Sequence, residues 1–153
     1  MMMRRCMRLE SDVILMADDD PDDRFLAREA LEEAQMDNVP RFVNDGEALL
    51  DYLHRRGEYA APDRAPRPCL ILLDLNMPRM DGREALRQIK ADPDLRRIPI
   101  VILTTSNAEE DIRRSYDLGA NAYITKPMTF ESLAEVMRIL DKFWFETVQL
   151  PLD

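Results

Sequence analysis

The chain has one histidine and two cysteines among 153 residues. His54 stands alone, so no histidine cluster is available to zinc, and Cys6 and Cys69 are too few for a disulfide framework and are not spaced as a CxxC pair. Long apolar runs are also missing. None approaches the roughly 18 residues that a membrane span needs, so no membrane association is expected. The start, MMMRRCMRL, has no apolar h-region and no small-residue cleavage site. It is therefore not a signal peptide; residues 1–10 are expected to be disordered and the protein cytoplasmic. Positive charge is in deficit: 21 Lys and Arg face 30 Asp and Glu, for a net charge of −9. That balance disfavours a polyanion such as nucleic acid as partner. There are no internal repeats and no low-complexity tract.

What is present suffices for one core. The length corresponds to one domain, expected over residues 11–145, with a C-terminal arm over 146–153 and no room for a separate output domain. Four apolar segments are short and unbroken: Val13–Ala17, Cys69–Leu73, Ile98–Leu103 and Ala122–Thr125. Unbroken runs fit strands buried on both faces, as in a parallel sheet covered by helices. Pro40–Asn44 is a weaker strand and a candidate edge.

Helical spacing appears between them. Asp22–Gln35 carries Phe25, Leu26 and Ala30, and Gly46–Arg56 carries Leu49, Tyr52 and Leu53. Arg83–Ala91 stops ahead of Pro93, Glu109–Leu118 ends at Gly119, and Thr129–Phe145 opens on a capping threonine. The alternation of strand and helix predicts an α/β fold with right-handed crossovers. The Pro-rich stretch Gly57–Pro68 is expected to be a long surface loop.

In such folds ligands bind at the carboxyl ends of the strands. Those ends are polar here: Asp18-Asp19-Asp20, then Asp74-Leu75-Asn76, then Thr104-Thr105-Ser106, then Lys126-Pro127. Asp20 and Asp22 are expected to cap and start the first helix, near its positive end. Converging carboxylates repel unless neutralised, and a hard cation such as Mg²⁺ does that with oxygen ligands. A hydroxyl and an ammonium at the same rim suit a phosphoryl group, whose charge is spread over several oxygens. Each residue alone is ordinary at a strand end; their conjunction on four ends is not.

With these motifs the chain resembles a response-regulator receiver domain over about residues 12–142. The resemblance implies a flavodoxin-like, doubly wound sheet of five parallel strands in the order 2-1-3-4-5, with five helices. It implies that Asp74 in LLDLNMP accepts the phosphoryl group. Asp19 would bind Mg²⁺ directly, Asp18 largely through water, and Asn76 through its backbone carbonyl. Thr104 would be the switch hydroxyl and Lys126 the phosphate-binding lysine, joined to Pro127 by a cis bond. Tyr123 would be the aromatic that swings inward on activation. Asp74 would attack a phosphohistidine on a sensor histidine kinase, which makes the chain a regulator rather than an enzyme of turnover.

The stretches NDGEALLDYL, LNMPRMDGREAL and SYDLGANAYITKP, with FW near the end, resemble the stand-alone regulators paired with bacterial phytochrome kinases. Two other classes stay open. A Mg²⁺-dependent phosphatase of haloacid-dehalogenase type would carry DxDx[TV] after the first strand, where this chain has ADDDPDD. A pseudo-receiver acting only by contact would usually lack Asp74 or Lys126. At the carboxyl terminus, Phe143, Trp144, Phe145, Val148 and Leu150 crowd a short arm. Consecutive rings point around a helix, so at least one is exposed in a monomer. A homodimer is expected, through the fourth and fifth helices, the fifth strand and this arm.

Overall fold

The computed structural model describes residues 13–34, 39–61 and 64–147. Five parallel strands, β1 (Val13–Ala17), β2 (Val39–Val43), β3 (Leu70–Leu73), β4 (Ile100–Thr104) and β5 (Ala122–Thr125), form one sheet in the order β2-β1-β3-β4-β5. They alternate with α1 (Pro21–Glu33), α2 (Gly46–His54), α3 (Gly82–Ala91), α4 (Glu109–Asp117) and α5 (Phe130–Asp141). The flavodoxin-like expectation is met, and Pro40 lies in an edge strand as expected.

The strands read as unbroken apolar runs because the sheet has a core on each face. Side chains alternate along a strand. Leu15, Ala17, Ile71, Leu73, Ile100 and Ile102 therefore pack with Leu49, Leu86 and Ile89 of α2 and α3. Ile14, Met16, Leu70, Leu72, Val101 and Leu103 pack with Ala27, Ala30 and Leu31 of α1 and Ala134, Met137 and Leu140 of α5. β5 departs from this pattern: as the other edge strand it is only half-buried.

Several sequence expectations are corrected. In α1 the buried residues are Ala27, Ala30 and Leu31, whereas Phe25 is 61% and Leu26 40% exposed. Small alanines let α1 pack close to its neighbours, and the larger side chains stay outside. β4 pairs from Ile100, not Ile98, since Pro99 has no N–H to give the ladder. The last helix is regular only to Asp141 and continues as a π-helical segment, Lys142–Thr147. There Trp144 packs against the α1–α5 core, while Phe143 is 47% exposed and meets Trp144 edge-on. The loop after α2 is tied down: Tyr52 Oη donates to the Pro66 carbonyl and Arg55 Nε to that of buried Ala65. The N-terminal stretch 1–10, Val148 and Leu150 lie outside the described residues, as does the side chain of Phe145.

Candidate functional site

Parallel register assembles the site. Ala17 is level with Leu73, and Thr104 with Thr125. Each of these ladders runs one step further, with Asp74 N–H donating to the Ala17 carbonyl and Lys126 N–H to that of Thr104. Asp18, Asp74, Thr104 and Lys126 thus leave the sheet at one edge.

The loop behind Asp74 is held by local chemistry. Asp81 caps α3 by accepting from Glu84 N–H. Gly82 then presses against the Asp74–Leu75 backbone: a Cβ there would lie 2.1 Å from the Asp74 carbonyl oxygen. Only glycine permits that approach, which sets α3 directly behind Asp74. Asp45 caps α2 and takes Arg79 Nε at 2.7 Å, bracing the same loop from the other side.

Asp74 sits at the centre. Its Oδ1 accepts from Thr104 Oγ1 at 2.7 Å and from Asn76 N–H at 3.3 Å, and its Oδ2 faces Lys126 Nζ at 3.3 Å. Lys126 Nζ also donates to Asp18 Oδ2 and to Asp23 Oδ2, both at 2.7 Å. Asp18 and Thr104 are fully buried and Asp74 nearly so, whereas Asp19 is exposed.

One ammonium serves several carboxylates, and the protonation equilibria reflect it. Burial raises the Asp18 pKa above the usual carboxylate value, and the hydrogen bonds from Lys126 and Asp20 N–H only partly offset it. Burial works against the Lys126 ammonium too, but its bonds to Asp18 and Asp23 outweigh that and raise its pKa. Burial thus dominates at Asp18, and the neighbouring carboxylates dominate at Lys126. Asp18, Asp19 and Asp74 each offer a ligand oxygen, and these oxygens all lie within 4.8 Å of one another. Such an all-oxygen set fits a hard divalent cation.

Tyr123 is turned inward. Its ring packs half-buried against the core on the α2–α3 face, and its hydroxyl donates to the Ser106 carbonyl at 2.8 Å. The expected cis bond at Lys126–Pro127 is absent; among the described residues no peptide is cis. The trans form is the default for X–Pro, favoured by roughly 0.5–1 kcal/mol.

Three partnerships were not expected from sequence. Asp23 reaches Lys126 from the first turn of α1. Arg24 Nη1 donates to the Asp18 carbonyl at 2.7 Å. Arg83 pairs with Asp111 at 2.8 Å, and Asp111 in turn accepts from Ser106 Oγ at 2.6 Å. The only sequence signal for these was the acidic density of PDD and the charge of GRE.

Residues 14–138 match the model of the response regulator receiver domain family. The chain belongs to that family. It is 45% identical over 139 residues to response regulator Rcp1 of Synechocystis sp., covering 91% of this chain and 92% of Rcp1. The crystal structure of the Mn²⁺-bound form of Rcp1 superimposes with a TM-score of 0.81, covering 91% of this chain and 98% of that one. The phosphorylated cyanobacterial phytochrome response regulator RcpA, also 45% identical, gives 0.83 over 91% and 97% of the two chains. RPA3017, a response regulator in red light signalling of R. palustris, is 38% identical and gives 0.87 over 92% and 99%. Receiver domains of this family are signalling proteins. Among the described residues no helix is long and apolar enough to cross a membrane.

Proposed function

We propose that this receiver accepts a phosphoryl group on Asp74 from a phosphohistidine of a sensor histidine kinase, with Mg²⁺, and signals by protein contact. The kinase in this reading is of the bacteriophytochrome type, and the protein works in the cytoplasm. The observation that carries it is the setting of Asp74: one carboxylate held between a buried hydroxyl, a buried ammonium and two further aspartates.

The chemistry follows from these groups. An Asp74 carboxylate oxygen attacks phosphorus; the P–N bond to the kinase histidine breaks and an acyl phosphate forms. Lys126 holds a transferring oxygen and offsets its charge. Asp18, Asp19, Asp74 and the Asn76 carbonyl would hold Mg²⁺, which when bound supplies further positive charge to the phosphoryl oxygens. Thr104 Oγ1 already points at Asp74 and can pass its hydrogen bond to a phosphoryl oxygen. Tyr123, already inward on the Ser106 carbonyl, would report that bond to the α4–β5–α5 face.

Tyr116 of α4, Ile139 of α5 and Phe143 just beyond it are exposed. Their exposure supports a homodimer in which Phe143, Trp144, Val148 and Leu150 take part, with residues 11–145 as the receiver and 146–153 as an arm. Incubation with a small phosphoryl donor, with and without Mg²⁺, tests the central claim. One labile acyl phosphate per chain, dependent on Mg²⁺, is expected. Turnover of many equivalents would instead mark a phosphatase, and no label an interaction module.

A further inference from the structure

Lys126 has more partners than its proposed part in phosphoryl binding needs. An ammonium carries three N–H donors. All three have carboxylates in reach: Asp18 and Asp23 at 2.7 Å each and Asp74 at 3.3 Å. Phosphorylation of Asp74 removes the longest of these contacts, which frees one donor for a phosphoryl oxygen; a second donor is freed only if Asp18 or Asp23 gives way. Asp18 is poorly suited to release it. Its side chain is fully buried, so water cannot take the ammonium's place at that oxygen. Its other oxygen is held by Asp20 N–H, so it cannot turn freely. Asp23 is 32% exposed, and water can solvate it once it lets go. It also lies in the first turn of α1, where unpaired backbone N–H groups favour a carboxylate.

We propose that Asp23 is a positioning residue that latches Lys126 in the unphosphorylated chain and competes with the phosphoryl group for its ammonium. The proposal rests on Asp74 being the acceptor. The latch keeps a long, flexible side chain extended over the Asp74 carboxylate, and it imposes a modest penalty when an anion arrives. Asp23 lies outside the set of oxygens suited to a cation, which comes from Asp18, Asp19 and Asp74. Its removal should therefore act on the anion and leave the metal alone. A residue that merely supported the fold would not separate the two.

The test is titration with beryllofluoride, a phosphoryl mimic, in the presence of Mg²⁺, alongside titration with Mg²⁺ alone. The chains compared are the parent, Asp23→Asn, Asp23→Ser and Asp22→Asn. Asp22 is the exposed neighbour and controls for the loss of one negative charge. The two Asp23 variants should bind beryllofluoride about two- to five-fold more tightly, the scale of a partly exposed ion pair, with Mg²⁺ affinity unchanged. Asp22→Asn should match the parent. Equal or weaker binding in both Asp23 variants, or the same gain in Asp22→Asn, overturns the latch while leaving the acceptor site intact. Uptake of Mg²⁺ but of no beryllofluoride by parent and variants alike overturns the acceptor reading and the latch with it.

Discussion

The Lys126 ammonium stands 2.7 Å from the carboxylate of Asp18, across 108 positions of sequence. Each group offsets part of the cost of burying the other. Asp18 is fully buried and Lys126 is 11% exposed. Removing one partner of a buried pair costs about 3–5 kcal/mol, because the charge left behind has lost its solvent as well. Lys126→Ala should therefore destabilise the metal-free chain by an amount at the lower end of that range, since Asp18 can take up a proton. The pKa of Lys126 lies above its ordinary 10.5, so its contribution is fully present below about pH 10.5 and fades only above it. Urea melts at neutral pH with and without Mg²⁺ check this. The deficit should shrink when Mg²⁺ is added, as the cation replaces the ammonium. A deficit equal under both conditions would show that Lys126 and the metal do not share Asp18.

Asp74→Asn keeps the shape of the side chain and an oxygen to accept from Thr104, and it removes the nucleophile. Labelling by a phosphoryl donor should fall to background while the urea midpoint stays equal or rises, because one of the crowded charges is gone. Intact-mass analysis counts the label. A phosphorylated Asp74→Asn chain moves the acceptor elsewhere.

Asp19 is the exposed member of the acidic set. Asp19→Asn should weaken Mg²⁺ binding by roughly tenfold or more, in line with losses seen when metal-site partners are removed. It should also raise metal-free stability slightly, because it relieves repulsion from Asp18 and Asp74. Calorimetric titration with Mg²⁺ measures the first effect and thermal melting in a chelator the second. Unchanged affinity would place the cation outside this cluster.

Strand ends and loop ends were legible in the sequence for different reasons. Asp18, Asp74, Thr104 and Lys126 could be read because each directly follows an unbroken apolar run, and parallel register forces such positions together. Asp23 could not, because an acidic residue in the first turn of a helix is already explained by the helix dipole. Only the reach of Lys126 gives it a second purpose. Phe25 and Leu26 misled for a related reason: periodicity finds a face, and here the buried face is built from Ala27 and Ala30. The Arg83–Asp111 pair joins two helices whose separation no sequence pattern encodes.

That pair gives a prediction in pH. Hydrogen bonds from Ser106 first, and then from Arg83, lower the Asp111 pKa below its ordinary 3.8. A depressed carboxylate stabilises the fold above the unfolded value and ceases to do so as pH falls through the folded one. Asp111→Asn should therefore cost stability at pH 5–7, and the cost should vanish progressively below about pH 3.8. Its size should be about 1 kcal/mol, since the Asp111 side chain is only partly buried, 21% exposed. Parallel denaturant melts of parent and variant at pH 3 and pH 6 decide it. A difference that does not depend on pH would mean that Asp111 acts through packing and not through its charge.

The last prediction concerns self-association. Tyr116, Ile139 and Phe143 are 49%, 57% and 47% exposed on α4, α5 and the π-helical segment that follows. Large apolar side chains exposed close together mark a contact surface more often than isolated ones do, and a dimer would require these three to form such a surface. A two-fold contact suits them, since each protomer would offer the same surface to the other. The chain should therefore be a dimer at micromolar concentration, measured by light scattering. Phe143→Ser and Ile139→Ser should each weaken it, and together they should yield a monomer that still binds Mg²⁺. A chain stopped after Lys142 should dissociate as well, having lost Phe143, Trp144 and the arm beyond. Those variants leave the Asp74 site untouched, so phosphoryl labelling should persist in the monomer. A full chain that is already monomeric, or a dimer that survives both the paired substitution and the truncation, would remove this surface from the account.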